Sequence, residues 1–262
     1  MTIDFTDALL MGWLRAWWWP FLRVSGFVLT VPIIGTRALP RRVRLLFALA
    51  ITGVLAPLVP PVPAHAAVAP LGAQGLLIAA QQLVIGAALG LVLRMVFVVF
   101  EFAGQVIAQQ MGLGFAAMVD PSSGLQVPVV SQFYIVLATL LFFATDAHLQ
   151  LVRLLADSFD LVPIGATVGR EMLGEVMHWS GSLFAFALAM MLPVVIALLV
   201  ANLVFAVMTR SAPQLNVFAI GFPITLLFGV AMLVLTVTAF DADFARVIGA
   251  GFDAAYGFLR QG

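Results

Sequence analysis

Residues 45–93 read LLFALAITGVLAPLVPPVPAHAAVAPLGAQGLLIAAQQLVIGAALGLVL and contain no Asp, Glu, Lys or Arg. The run is long enough for two membrane-crossing helices at ~20 residues each. Pro57, Pro60, Pro61 and Pro63 divide it, and Pro70 closes the loop between the halves. Proline lacks a backbone donor and ends helices, so the turn belongs there.

The same pattern continues outward. Trp13 to Thr36 is apolar apart from Arg15 and Arg23, and the densest basic cluster follows at Arg37, Arg41, Arg42 and Arg44. Val127–Ala144 is apolar again, and two long charge-free blocks, Val176–Thr209 and Ser211–Phe240, come later. Pro193 and Pro223 fall inside those blocks and predict kinks or broken helices. Thr145–Glu175 is the one stretch of ordinary polarity. Its Leu149, Leu151, Val152, Leu154 and Leu155 alternate with Asp146, Arg153, Asp157 and Asp160, which fits a short interfacial helix. The tail from Asp241 to Gly262 is weakly amphipathic. The expectation is an all-α polytopic integral membrane protein of about six hydrophobic helices, one domain over residues 1–262.

Composition agrees. Of 262 residues, 63% are hydrophobic and only 9% charged, and mean hydropathy is +1.15. A soluble domain is about 25% charged and about 45–50% apolar, so a soluble enzyme, a disordered chain and a disulfide scaffold are excluded. Twelve arginines balance twelve acidic residues; no basic stripe points to nucleic acid. The absence of cysteine removes thiolate chemistry. Asp4 and Asp7 stand where a signal peptide would be basic, and Ala64-His65-Ala66-Ala67 lies too far in for a cleavage site, so the first apolar segment is expected to stay. The positive-inside rule places the Arg37–Arg44 cluster, Arg94 and Arg210 in the cytoplasm, with the proline loop, the 146–160 stretch and the N-terminus outside.

No catalytic or cofactor constellation emerges. His65, His148 and His178 are scattered and lack ligand spacing, so no metal is expected. Gly112-Leu113-Gly114 lacks the third glycine of a dinucleotide fingerprint. Gly86-Ala-Ala-Leu-Gly90 is a small-xxx-small pattern that lets helices approach closely. Arg23, Arg94 and Glu101 lie in or beside apolar runs. Such charges either snorkel from helix ends or form a buried inter-subunit ion pair or a water-filled path. A small-molecule transporter would need an internal repeat and mid-membrane polar groups. A membrane-embedded enzyme would need clustered His, Asp or Glu. Neither pattern is present in the sequence.

Gly104 to Gly124 reads GQVIAQQMGLGFAAMVDPSSG. It is too polar and glycine-rich for a lipid-facing helix. Glycine gives freedom, and methionine and phenylalanine give soft apolar bulk. Non-helical backbone at membrane depth lines a cavity or is buried in protein. The composition suits either a plug that yields to a large passing substrate or a plain re-entrant connection.

Two stretches resemble a known family. Arg210-Ser-Ala-Pro213-Gln214-Leu-Asn216-Val-Phe218-Ala-Ile-Gly221-Phe222-Pro223 resembles the signature of the FliR family of flagellar export-gate proteins and their virulence-secretion (SctT-like) counterparts. Gly112 to Gly124, continuing through Pro128-Val-Val-Ser-Gln132-Phe133, resembles that family's central segment. Order, spacing and hydropathy agree over essentially the whole chain. The resemblance implies a non-enzymatic, cofactor-free subunit of a type III protein export gate in the inner membrane. It would assemble with FliP-like and FliQ-like membrane subunits, and with an FlhB-like protein at the cytoplasmic side, to pass unfolded flagellar subunits. It also implies that much of the assembly stands above the bilayer plane. The family's pore plug would fall on Gly112, Leu113, Gly114, Phe115, Met118, Asp120 and Pro121. Phe115 and Met118 would be the obstruction, and Gly112 and Gly114 the hinges. Arg210, Pro213, Gln214, Asn216, Phe218, Gly221 and Pro223 would orient the last helices or meet neighbouring subunits. Capping and turn formation within the chain is the plainer role for them. An injectisome gate subunit is the alternative; the Met-Gly-Leu-Gly-Phe run leans toward the flagellar system.

Overall fold

In a computed structural model the structure describes residues 7–35, 39–60, 72–113, 129–166, 169–211 and 217–261. Among these there are eight α-helices, one 3-10 turn and no strand: α1 (Asp7–Thr30), α2 (Arg41–Leu55) running into the turn Ala56–Leu58, α3 (Ala73–Gln110), α4 (Val129–Ala144), α5 (Ala147–Leu161), α6 (Arg170–Ser211), α7 (Val217–Val237) and α8 (Phe240–Arg260). The helical, membrane-type architecture expected from the sequence is the observed one.

Two helices, Ala73–Gln110 and Gly174–Ser211, are each long and apolar enough to cross a membrane. The count rises to four if the bent pairs α4 with α5 and α7 with α8 each act as one span. The six charge-delimited runs therefore do not map onto six crossing helices. The half of the 45–93 run before the prolines yields only α2, whose 15 residues reach about 22 Å at 1.5 Å each, short of a ~30 Å hydrocarbon core. The helix breaks fall at Thr145-Asp146, where Asp146 takes a left-handed φ of 55°, and at Thr238-Ala239. The helices α6 and α7 run on through Pro193 and Pro223.

The chain divides into two compact units. The first comprises Met1–Met95, Asp146–Ser180 and Ala250–Gly262, and the second Val96–Thr145 and Gly181–Gly249.

In the first unit, Trp19, Ile78, Phe159 and Ile164 form a buried cluster that Trp18, Leu22, Val59 and Ala79 flank. Here α1 and α3 meet almost backbone to backbone. A Cβ on Gly86 would collide with the carbonyl oxygen of Arg23, and one on Gly26 with that of Leu83. Thr30 Oγ1 donates across the same seam to the Ala87 carbonyl, at 3.0 Å. The Gly86/Gly90 spacing does bring helices together, and Gly26 is the reciprocal small residue on α1. The amphipathic α5 forms over the stretch read for it, but protein covers much of its apolar surface: Leu154, Leu155 and Phe159 are fully buried, while Leu149 and Val152 stay exposed. Tyr256 donates to Asp157 Oδ2 at 2.7 Å and ties the end of α8 to α5.

The second unit is held by aromatic packing. Phe100 stacks on Phe240 and Phe244 with ring centroids 5.2 and 5.9 Å apart, and Tyr134 meets Phe240 edge-on at 5.3 Å. Such pairs add about 0.5–1.5 kcal/mol each beyond the area they bury. The stretch Gly104–Gln110, read as unsuited to a lipid-facing helix, is helical and completes α3, with Ile107 and Ala108 buried in protein. Gly104 serves contact there. A Cβ on it would lie 2.7 Å from Ser131 Cα, and Ser131 Oγ donates to the Glu101 carbonyl at 3.0 Å.

Candidate functional site

The end of α3 is built for an abrupt stop. Gly112 adopts φ 81°, its N–H bonds to the Gln109 carbonyl at 3.0 Å, and the Leu113 N–H reaches back to the Ala108 carbonyl at 3.0 Å. This pair of bonds around a left-handed glycine is a Schellman C-cap, which satisfies carbonyls the last turn would otherwise orphan. The turn before it is sunk in the second unit's core, with Ile107 and Ala108 fully buried and Met111 only 2% exposed. Met111 lies over Gly229 of α7, where a Cβ would fall 2.5 Å from its Cγ. Residues 114–128 follow, and the chain resumes at α4, whose Val130 and Ser131 are buried. Ser131 packs on Gly104, and Gly112 lies about 12 Å further along α3 at 1.5 Å per residue. Both ends of the intervening segment are thus fixed to rigid helices within about two turns of each other.

The second constellation centres on Arg23, which is fully buried. Its Nε donates to Gln82 Oε1 at 2.8 Å, one terminal nitrogen to the Ser158 carbonyl at 2.6 Å, and the other to the Val162 carbonyl at 2.7 Å. The guanidinium lies 4.3 Å from the centre of the Phe159 ring, within cation–π range. Among the described residues no carboxylate pairs with it; the ion pair found there joins Arg246 and Asp243, one turn apart on α8. Among the described residues Arg23 is not half of an ion pair, and its full burial means it does not snorkel. It caps the carbonyl end of α5 with positive charge, where the helix dipole is negative, and fastens that end to α1 and α3. Gln82, one of three glutamines in the uncharged 45–93 run, was not singled out by sequence; its placement amid apolar neighbours was the available signal.

The other expected residues are dispersed. Arg94 is exposed and Glu101 half-buried, both along α3. Gly112 and Leu113 are the described part of the expected plug; Gly114, Phe115, Met118, Asp120 and Pro121 lie outside the described residues. So do Pro213, Gln214 and Asn216. Arg210 is exposed in the last turn of α6, and Phe218 belongs to the first turn of α7. Gly221 is buried and its carbonyl accepts from Thr225 Oγ1 at 2.9 Å, while Pro223 is exposed. Among the described residues no group of His, Cys, Asp or Glu could hold a metal. The Met111–Gly229 packing escaped sequence reading, because a glycine within an apolar helix carries no label of what it faces.

Comparison with known proteins addresses the same chain. A family profile described as "Bacterial export proteins, family 1" matches residues 14–250. The flagellar biosynthetic protein FliR of Escherichia coli (strain K12) is 38% identical over 234 residues, covering 88% of this chain and 87% of that protein. FliR of Pectobacterium carotovorum subsp. carotovorum is 34% identical over 99% of this chain and 98% of its own, and FliR of Bacillus subtilis (strain 168) is 29% identical over 82% and 83%. With a profile match over nearly its full length and relatives this similar, the chain belongs to the FliR family of bacterial flagellar export proteins.

Proposed function

We propose that this chain acts as one non-enzymatic domain of the flagellar type III export gate in the bacterial inner membrane. It forms the pore together with FliP-like and FliQ-like subunits, and an FlhB-like protein joins at the cytoplasmic side. The segment beyond Gly112 is the plug, with Phe115 and Met118 as the apolar obstruction. Arg210, Gln214 and Asn216 orient the last helices against neighbouring subunits. The observation that carries the plug reading is the tethering of residues 114–128. One end is stopped by the Gly112 cap and the buried Met111, the other by the buried Val130 and Ser131. A soft loop held at both ends can yield to a passing chain and return to the same place.

The test is an in-frame deletion complemented from a plasmid, scoring motility, flagellin in the medium and ion leakage. The wild-type gene restores motility and flagellin release. The double variant Phe115→Ala/Met118→Ala restores assembly but leaks small ions. Normal motility in the deletion strain removes the flagellar assignment in favour of an injectisome. Unchanged leakage in the double variant removes the plug role alone.

A further inference from the structure

A groove of about 260 Å³ lies between α1 and α2 in the first unit. Its walls are Val28 and Leu29 from α1 and Leu45 and Ala48 from α2, with Arg41 and Arg44 also lining it. Positions 41, 44, 45 and 48 fall on one face of α2 at i, i+3, i+4 and i+7. The groove is therefore graded along the helix: guanidinium groups in the first turn, apolar walls in the next.

Charge here is one-sided. Among the described residues no acidic side chain pairs with Arg41, Arg42 or Arg44. Arg44 turns its Nε and one terminal nitrogen to the Leu39 carbonyl at 3.2 and 3.0 Å, and its other terminal nitrogen has no hydrogen-bond partner among the described residues. The N-cap of α2 is Pro40, which supplies no side-chain cap, so the positive end of the helix dipole adds to the arginines. Within the groove wall, the buried Ser25 hydroxyl has no hydrogen-bond partner among the described residues.

Beyond the arginines α2 is apolar all round. Leu45, Leu46, Phe47 and Leu49 are each about half exposed or more. An acidic protein segment would match the arginines but not that surface. A phospholipid matches both, because its phosphate meets the guanidinium pair and one acyl chain continues along the apolar walls. At about 22 Å, α2 is somewhat longer than one leaflet's share of a ~30 Å core, which sets its first turn at headgroup level. We propose that the α1–α2 groove binds an anionic phospholipid, phosphate on Arg41 and Arg44 and acyl chain against Val28, Leu29, Leu45 and Ala48. Pockets that pair arginines with apolar helix surface are suited to anionic lipid. This proposal does not rest on the plug reading.

The test is native mass spectrometry of the full-length chain, extracted in detergent with the subunits that accompany it. Dioleoyl-phosphatidylglycerol, dioleoyl-phosphatidylcholine and inorganic phosphate are titrated separately. The expected result is preferential retention of phosphatidylglycerol, reduced about tenfold in Arg41→Gln/Arg44→Gln and restored in Arg41→Lys/Arg44→Lys. Leu29→Trp fills the groove from an exposed position with both arginines intact, and lowers retention as well. That variant keeps the test decisive if the double glutamine variant fails to fold. Equal retention of the two lipids, retention indifferent to Leu29→Trp, or displacement of lipid by inorganic phosphate alone would overturn the proposal.

Discussion

Arg23 shows how one side chain can do what a salt bridge does without a second charge. Its partners stand 59, 135 and 139 residues away in sequence, so it closes three long loops at one point. Hydrogen bonds to a charged donor contribute about 1.5–3 kcal/mol each, and stranding a buried acceptor costs about 1–3 kcal/mol. Replacing Arg23 by methionine keeps much of the bulk and strands the Ser158 and Val162 carbonyls. We expect a loss of about 2–4 kcal/mol, read as a lower unfolding midpoint in detergent. Intrinsic fluorescence is a suitable probe, because the buried Trp19 lies in the neighbouring cluster. Arg23→Lys should fall between, since an ammonium has no planar fork to span Gln82 and two carbonyls at once. An unchanged midpoint in Arg23→Met would show that the network is dispensable. The sequence marked Arg23 as a charge inside an apolar run; it held no sign that the answer to that charge is the carbonyl end of a distant helix.

At the scale of elements, glycine separates into kinds that look alike in the sequence. A Cβ at Gly86 meets backbone of α1, whereas one at Gly181 meets nothing within 4 Å. The same chemical change should therefore have opposite signs. Gly181→Ala gains up to about 1 kcal/mol of helix propensity, and Gly86→Ala forces α1 and α3 apart and lowers the amount of protein recovered from membranes. Equal recovery and equal unfolding midpoints for the two variants would show that the α1–α3 seam tolerates separation. The sequence was legible where one physical cause dominated. Prolines 57 to 70 marked the end of α2, the polar–apolar alternation marked α5, and Gly86-xxx-Gly90 marked the seam. It misled where one residue type serves two ends. Gly104 looked like flexibility and is close contact with Ser131. The plug proposed beyond Leu113 rests on resemblance and composition, and the tethering of its flanks became visible only in three dimensions.

For the molecule as a whole, the two longest helices exceed any bilayer requirement. The 38 residues of α3 and 42 of α6 reach about 57 and 63 Å at 1.5 Å each, against a ~30 Å hydrocarbon core. They differ in cover. Of the most apolar window, 61% is buried for α3 but only 28% for α6. Phe184, Leu203 and Val207 on α6, and Leu227, Val234 and Leu235 on α7, are largely exposed. Apolar surface on a helix longer than the membrane needs protein as well as lipid to cover it. Produced without the membrane partners proposed for it, the chain should be degraded or aggregate, and co-production with them should raise its steady-state level several-fold, as immunoblotting of membranes would register. Equal levels in both cases would mean that lipid alone suffices. The long helices also explain why the charge-free runs outnumber the described helices that are long and apolar enough to cross a membrane. Hydropathy reports burial, and burial in protein and burial in lipid write the same letters.

The lock around Arg23 has a further property. Its acceptors are two peptide carbonyls and an amide, and none of these titrates. Acid loosens most proteins by protonating carboxylates that the native state holds ionised, and salt loosens ion pairs by screening them. Neither lever reaches this junction. A guanidinium keeps its charge throughout roughly pH 5 to 8, so the join between α1, α3 and α5 should hold equally across that range. Of the contacts that hold the first unit together, this one is indifferent to both acid and salt.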